Sequence, residues 1–328
     1  MNLNFTNDTY KTKAMNINNT NTHSHIDAFF LLIKDLKQED LDNLCIKIQN
    51  FYNNEPYNLK LNLQDCYRLT QNTNLNNEMK TIIFNLALEC LNSNIHLGTN
   101  TILDGKINTS SWISHALNVG IVARTLAHGL DLDEDKAMTY GLLHDYGRKF
   151  THTFDHAIVG FEKLTDLGWN NEAIGCLTHS FVNGGRCANN EPAIEGFYID
   201  ENGKPQWKNN TKKDDITIFL ENYQYSEYDK LLNIADLMAT DKKITSPFDR
   251  IQDIATRRQI DPKNRTYFLT EFTNMLIKYL EKLNINIKTI EFSKEISIDD
   301  IESIFKDVSD IFYKNFKELN QKKNKTIS

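Results

Sequence analysis

Residues 142–149 read LLHDYGRK, and the fold is decided by what surrounds this run. A histidine followed directly by an aspartate, at the end of an apolar helical stretch, can present two ligand groups to one metal ion from consecutive positions. Such a pair is common by chance, so its meaning rests on its neighbours. Upstream, His115 stands in SSWISHALNVGIVARTLA (110–127), a polar position in a helix of apolar and small residues. Downstream, Asp236 stands in LLNIADLMA (231–239), where a carboxylate is costly to bury unless its charge is compensated. Two histidines and two aspartates on three helices suit a hard-to-borderline divalent ion with open positions for water. A closed structural zinc site would draw on cysteine instead. The plainer alternative, core polar residues paired with one another, requires chance placement of all four in helical contexts.

Working outward, Ile113, Leu117, Ile121 and Leu126 give the apolar side of a helix from about Ser110 to His128. Asp131 or Asp133 caps the next helix, which runs to about His144. Two more are expected at about 155–167 and 170–180, separated by Gly168. The segment 183–213 breaks the pattern with NGGR and then GFYID-ENGK-PQWK, read as a small β-hairpin around Asn202-Gly203. Asp214 or Asp215 then caps a helix to about Tyr223, followed by helices at about 227–241, 266–283 and 298–319. On the N-terminal side, Phe29, Leu32, Ile33 and Leu36, then Leu41, Leu44, Ile48 and Phe51, then Ile82, Ile83, Leu86 and Leu91 recur at helical spacing. The expected fold is all-α: a tail at 1–22, an N-terminal helical region at 23–105 and a core at 106–245 with a loop or hairpin insertion at 183–213. Helices at 246–320 pack on the core, and 321–328 is a second tail. No internal repeat is present.

The order H…HD…D resembles the HD superfamily of metal-dependent phosphohydrolases, over about 110–241. That resemblance implies metal ligation by His115, His144, Asp145 and Asp236, with Asp145 also orienting the attacking water. Family members use Mg, Mn, Fe, Zn, Co or Ni, so the implied cofactor is one or two divalent ions of open identity. His156 begins a helix in DHAIVGFEKL and His179 ends the next in AIGCLTHSF, at opposite ends of a helical hairpin. This looks like the dinuclear branch, in which two further histidines help bind a second metal. Dinucleoside polyphosphate hydrolases and cyclic dinucleotide phosphodiesterases belong to that branch. The subgroup with a downstream Gly-Tyr-Pro signature is disfavoured, because that tripeptide is absent.

A bound divalent ion lowers the pKa of its water from about 15.7 toward about 7, and a second can clamp phosphate oxygens. Negative charge gathering in the transition state calls for cations. Arg148 and Lys149, directly after the HD pair, are candidates for catalysis and substrate binding, and Arg186 in the NGGR segment is a candidate for substrate binding. Each has a simpler reading beside it. Positive side chains after a helix C-terminus are favourable without any substrate, and His179 could serve as a helix C-cap. His156 could be an ordinary residue of a first helical turn. The cluster DRIQDIATRR (249–258) reads as a solvated face, His23 and His25 as incidental, and Tyr223, Tyr225 and Tyr228 as packing near the hairpin.

Composition bounds the function. A formal charge of −7 over 328 residues argues against extended, non-specific nucleic-acid binding. A small anionic substrate remains compatible, since a metal supplies positive charge locally. The five cysteines (Cys45, Cys66, Cys90, Cys176, Cys187) are odd in number and none form C-x-x-C, which favours reduced thiols. No signal-peptide apolar region precedes the helices, and the longest apolar runs, such as 28–33, are far short of a membrane span, so the expected location is cytoplasmic. The expected partner is a small phosphorylated substrate, with the nucleotide preference inherited from the resemblance; a homodimer through the N-terminal helices is open. Two other functions use the same residues: a di-iron oxygenase, and a module that senses a nucleotide without turnover.

Overall fold

The computed structural model describes residues 23–34, 36–54, 75–95, 97, 99–103, 106–151, 156–179, 197–199, 205–207, 219–220, 222–258, 266–285, 287 and 298–327. Three helices form an N-terminal layer: α1 (His25–Lys34), α2 (Gln38–Asn54) and α3 (Asn77–Asn92). Next come two paired strands, β1 (Thr99–Leu103) and β2 (Lys106–Ser110). The centre is α4 (Trp112–Gly129), α5 (Glu134–Leu143), a 3-10 turn at Tyr146–Lys149, α6 (His156–Asp166) and α7 (Asn170–Thr178). Beyond it lie short strands β3 (Phe197–Ile199) and β4 (Pro205–Trp207), then α8 (Glu227–Asp236), α9 (Pro247–Arg258), α10 (Thr266–Lys282) and α11 (Ile298–Ile327). Among the described residues, no helix is long and apolar enough to cross a membrane.

The architecture is helical, as the periodicity implies, with element ends that shift by a few residues. Asp133, rather than Asp131, caps α5, its carboxylate accepting from the Lys136 N–H at 3.0 Å. Asp131 instead adopts a left-handed φ of 54° in the connection. Gly168 ends α6 with φ 85°, and the Trp169 N–H bonds back to the Leu164 carbonyl at 2.9 Å, a closing bond that needs a residue tolerant of positive φ. Residues 99–103, read from sequence as part of the N-terminal helical region, instead pair antiparallel with 106–110, Thr99 opposite Ser110 through Leu103 opposite Lys106. The missed signal is Asp104-Gly105 between runs containing Thr and Ile, a hairpin pattern. Phe197–Ile199 and Pro205–Trp207 also pair antiparallel. The remainder of the expected insertion, including Asn202-Gly203, Arg186 and Cys187, lies outside the described residues, as do the proposed caps Asp214 and Asp215.

Two apolar cores share α4. Its first half (Trp112, Ile113, Ala116, Leu117) packs with α1–α3, α6 and α7, whereas Val119, Val122, Ala123, Leu126 and Ala127 pack with α8–α11. The N-terminal layer is tied to α4 by polar bonds as well: the Ser114 hydroxyl accepts from the Leu97 N–H at 2.8 Å and lies 3.1 Å from the Leu97 carbonyl. α4 and α5 cross at glycine on glycine, since a Cβ on Gly141 would lie 2.6 Å from the Gly120 Cα. His115 precedes the crossing on one helix and His144 follows it on the other, so an antiparallel pair brings both to the same side.

Candidate metal centre

The six residues singled out as ligand candidates converge. His115 Nε2 lies 3.0 Å from Asp236 Oδ1 and 3.9 Å from Asp145 Oδ2. His144 Nε2 lies 3.7 Å from Asp145 Oδ2 and 3.8 Å from Asp236 Oδ1. On the other side, His156 Nε2 is 2.9 Å and His179 Nε2 3.6 Å from Asp145 Oδ1. His156 and His179 themselves approach to 3.3 Å between Nε2 atoms. The cluster therefore divides into His115–His144–Asp145 and Asp145–His156–His179, each with one ligand atom per residue within 4.8 Å of the others. Asp236 joins the first group from α8. The two halves share Asp145, one oxygen facing each.

Local structure explains why. His144 and Asp145 follow the last residue of α5, and a carboxylate at that end meets the negative pole of the helix dipole. Arg148 offsets this: its Nε donates to Asp145 Oδ2 at 2.6 Å, and its Nη2 lies 3.2 Å from His156 Nε2. Asp145 and His156 are only eleven positions apart in sequence, and glycine lets the turn after Asp145 approach the start of α6 closely. A Cβ on Gly147 would overlap the His156 carbonyl, and one on Gly160 would lie 3.0 Å from the Gly147 nitrogen and 2.9 Å from Cys176 Sγ. The 3-10 turn and α6 thus touch along bare backbone.

Tautomers follow from the backbone. His144 Nδ1 lies 2.7 Å from the Gly141 carbonyl, an acceptor only, so Nδ1 carries the proton and Nε2 turns a lone pair inward. His179 repeats the arrangement on the Gly175 carbonyl at 3.3 Å. His144 is fully buried, and its Nε2 has no hydrogen-bond partner among the described residues. A buried orphan acceptor is costly, and a cation at the cluster would satisfy it. The residues present fit a divalent metal on that observation and on their donor types.

Electrostatics agree. Burial pulls the His144 imidazole down, Asp145 and Asp236 opposing, and pulls His179 down to about 3. Burial would raise Asp145, but the Arg148 guanidinium, with His156 and His144, holds its carboxyl well below the usual range. Asp236, also raised by burial, is held low by His115 and then His144. His144, Asp145 and His156 are buried, whereas the side chains of Asp236, Arg148 and His115 remain 28%, 26% and 12% exposed. Solvent reaches the cluster on that side.

Two of the cationic candidates part company here. Arg148 is engaged inside the cluster. Lys149 reaches toward α1, donating to the Leu31 carbonyl at 3.2 Å with its ammonium 5.1 Å from the Tyr146 ring centre. Tyr223, read as packing, also has a polar role: its hydroxyl bonds the buried Asp229 at 3.2 Å.

Residues 112–241 match the family model described as HD domain. Among curated proteins, the chain is 34% identical over 88 residues to an uncharacterized protein of Methanocaldococcus jannaschii, covering 25% of this chain and 50% of that protein. It is 37% identical over 75 residues to ribonuclease Y of Protochlamydia amoebophila, covering 21% of this chain and 14% of that protein. The chain thus spans at most half the length of these curated relatives. No solved structure matches it.

Proposed function

We propose, from the HD domain that this chain carries at residues 112–241, that the protein is a metal-dependent phosphohydrolase acting on a small phosphorylated metabolite. The bond cleaved is a phosphoester or phosphoanhydride, with a nucleotide or related compound as the substrate class. The observation that carries the reading is the division of Asp145, with Oδ2 toward His115 and His144 and Oδ1 toward His156 and His179. A carboxylate placed this way suits a bridge between two divalent ions. His115, His144 and Asp236 would hold one ion and His156 and His179 the other, in the manner of the dinuclear branch.

When bound, divalent ions supply activated water and draw charge from the phosphoryl oxygens. The chain's own residues complete the chemistry. Asp145, as the shared carboxylate, orients the water between the two halves. Arg148, partly exposed at the solvent side of the cluster while bonded to Asp145, meets charge that develops on the phosphoryl group. The contacts of Lys149 favour anchoring of α1 over a part in turnover, and Arg186 is kept as a substrate-binding candidate. The likeness to ribonuclease Y is confined to a small part of that protein, and a net charge of −7 weighs against a long RNA substrate.

The test is release of inorganic phosphate or nucleoside monophosphate from nucleotides, dinucleoside polyphosphates and cyclic dinucleotides, each with Mn, Mg, Fe and Co. Turnover of one class that depends on added metal supports hydrolysis. Bound iron without any phosphate release, with an iron signal sensitive to oxygen, would replace hydrolysis by oxygenase chemistry. Tight nucleotide binding with no turnover under any metal would make the site a sensor.

A further inference from the structure

Helix α8 carries a polar stripe of which sequence reading picked out one member. Asp229, Asn233 and Asp236 are spaced four and three residues apart, on one face of a helix whose Leu231, Leu232, Ile234 and Ala235 are buried apolar residues. Asp236 belongs to the metal centre. The other two are both buried. They hold the end of α7 instead.

The residue they hold is Thr178, directly before His179. Its hydroxyl donates to Asp229 Oδ1 at 2.8 Å. Its carbonyl, among the last carbonyls of α7, accepts from Asn233 Nδ2 at 3.1 Å. The second Asn233 N–H goes to the Asp229 carbonyl at 2.7 Å. Both partners of that nitrogen are carbonyls, which fixes the orientation of the amide. Asp229 is in turn set by neutral donors on its other oxygen: the Ser226 N–H at 2.8 Å, the Ser226 hydroxyl at 2.6 Å and the Tyr223 hydroxyl at 3.2 Å. Side chain and backbone of Thr178 are thus both fastened to the helix that supplies Asp236.

We propose that Asn233 and Thr178 are positioning residues that set His179 against Asp145, so that α8 builds both halves of the centre: one directly through Asp236, the other through this clamp. The inference rests on the two-metal reading above. His179 follows Thr178 directly, and its ring lies against the Gly175 carbonyl, His156, His144 and Asp145. A shift at Thr178 is therefore transmitted to the imidazole, whereas His115 and His144, on α4 and at the end of α5, are fixed by the Gly120–Gly141 crossing. Loss of the clamp should weaken one half and spare the other. A residue that merely stabilises the fold would not discriminate between them.

The experiment is a titration of the metal-free full chain with Mn2+, free ion being read by electron paramagnetic resonance, for the wild type, Asn233→Ala, Thr178→Val and Thr178→Ser. The wild type is expected to show two classes of site. In Asn233→Ala and Thr178→Val one class weakens by roughly 10- to 100-fold, the range for residues that orient ligands, while the other stays within about twofold. Thr178→Ser, which keeps the hydroxyl, retains both. If Asn233→Ala does not fold, the near-isosteric Thr178→Val decides alone. Two unaltered sites in Thr178→Val would overturn the inference, as would equal weakening of both. A wild type that fails to take up two ions overturns the two-metal reading itself, and the inference falls with it.

Discussion

Gly147 and His156 meet backbone to backbone: a Cβ on Gly147 would lie 1.9 Å from the His156 carbonyl oxygen and 2.7 Å from the Gly160 nitrogen. No side-chain rotation relieves that overlap. Gly147→Ala should therefore push the start of α6 away from the 3-10 turn and carry His156 from Asp145. We expect a loss of about 1–3 kcal/mol in stability, as for other overpacked sites. Manganese binding should weaken in the same variant. Urea unfolding with a parallel metal titration checks both, and wild-type values in the two would refute the close-approach argument.

Arg148 and Lys149 should behave differently although they are neighbours. Arg148 Nε sits on Asp145 Oδ2, the oxygen that faces His115 and His144. Arg148→Gln is expected to cut kcat by roughly 100-fold through lost charge stabilisation, without weakening metal binding, because the guanidinium competes for that oxygen. Lys149→Gln should leave kcat within about twofold and cost about 0.5–1.5 kcal/mol of stability through the Leu31 bond. Equal losses of kcat in the two variants would restore Lys149 to the reaction.

Acid should destabilise the metal-free protein through its buried imidazoles. His179 falls from 6.5 to about 3 on burial, so between those values the folded state binds fewer protons than the unfolded state. Stability then falls as pH drops through that window. Asp145 and Asp236, held below their ordinary range, lose their contribution only at still lower pH, as pH falls through their folded values. Between pH 7 and 5 the wild type should lose up to roughly 2 kcal/mol more than His179→Gln, at about 1.4 kcal/mol per pH unit below pH 6.5. Urea midpoints at the two pH values measure the difference; identical losses would mean that His179 is protonated in the fold.

Much of the site was legible because charged or imidazole groups in apolar helices stand out. His115 and Asp236 interrupt largely apolar, largely buried helical stretches, and adjacency marks His144 and Asp145. Asn233 was not read, although it lies one turn from Asp236, because an amide in a helix has many ordinary uses. Its role depends on where the Thr178 carbonyl falls, which sequence spacing does not specify. Arg148 and Lys149 were indistinguishable in sequence, since the turn at 146–149 decides which points inward. The close approach of Gly147 to His156 and Gly160, which sets His156 beside Asp145, depends on backbone packing that sequence spacing does not specify. In the fold, helical periodicity was strong, while β1 and β2 were hidden by the apolar helical patterns that precede and follow them.

Asp145 is the residue on which both halves of the centre depend, and its replacement tests the central claim most directly. The measurement is the manganese content of full-length wild type and Asp145→Ala after saturation and desalting, with circular dichroism on the same samples. We predict about two ions per wild-type chain. Asp145→Ala should retain close to none, lose all phosphate release and keep the helical signal largely unchanged. A wild type that holds no metal, or an Asp145→Ala variant that keeps two ions and full turnover, would contradict the account.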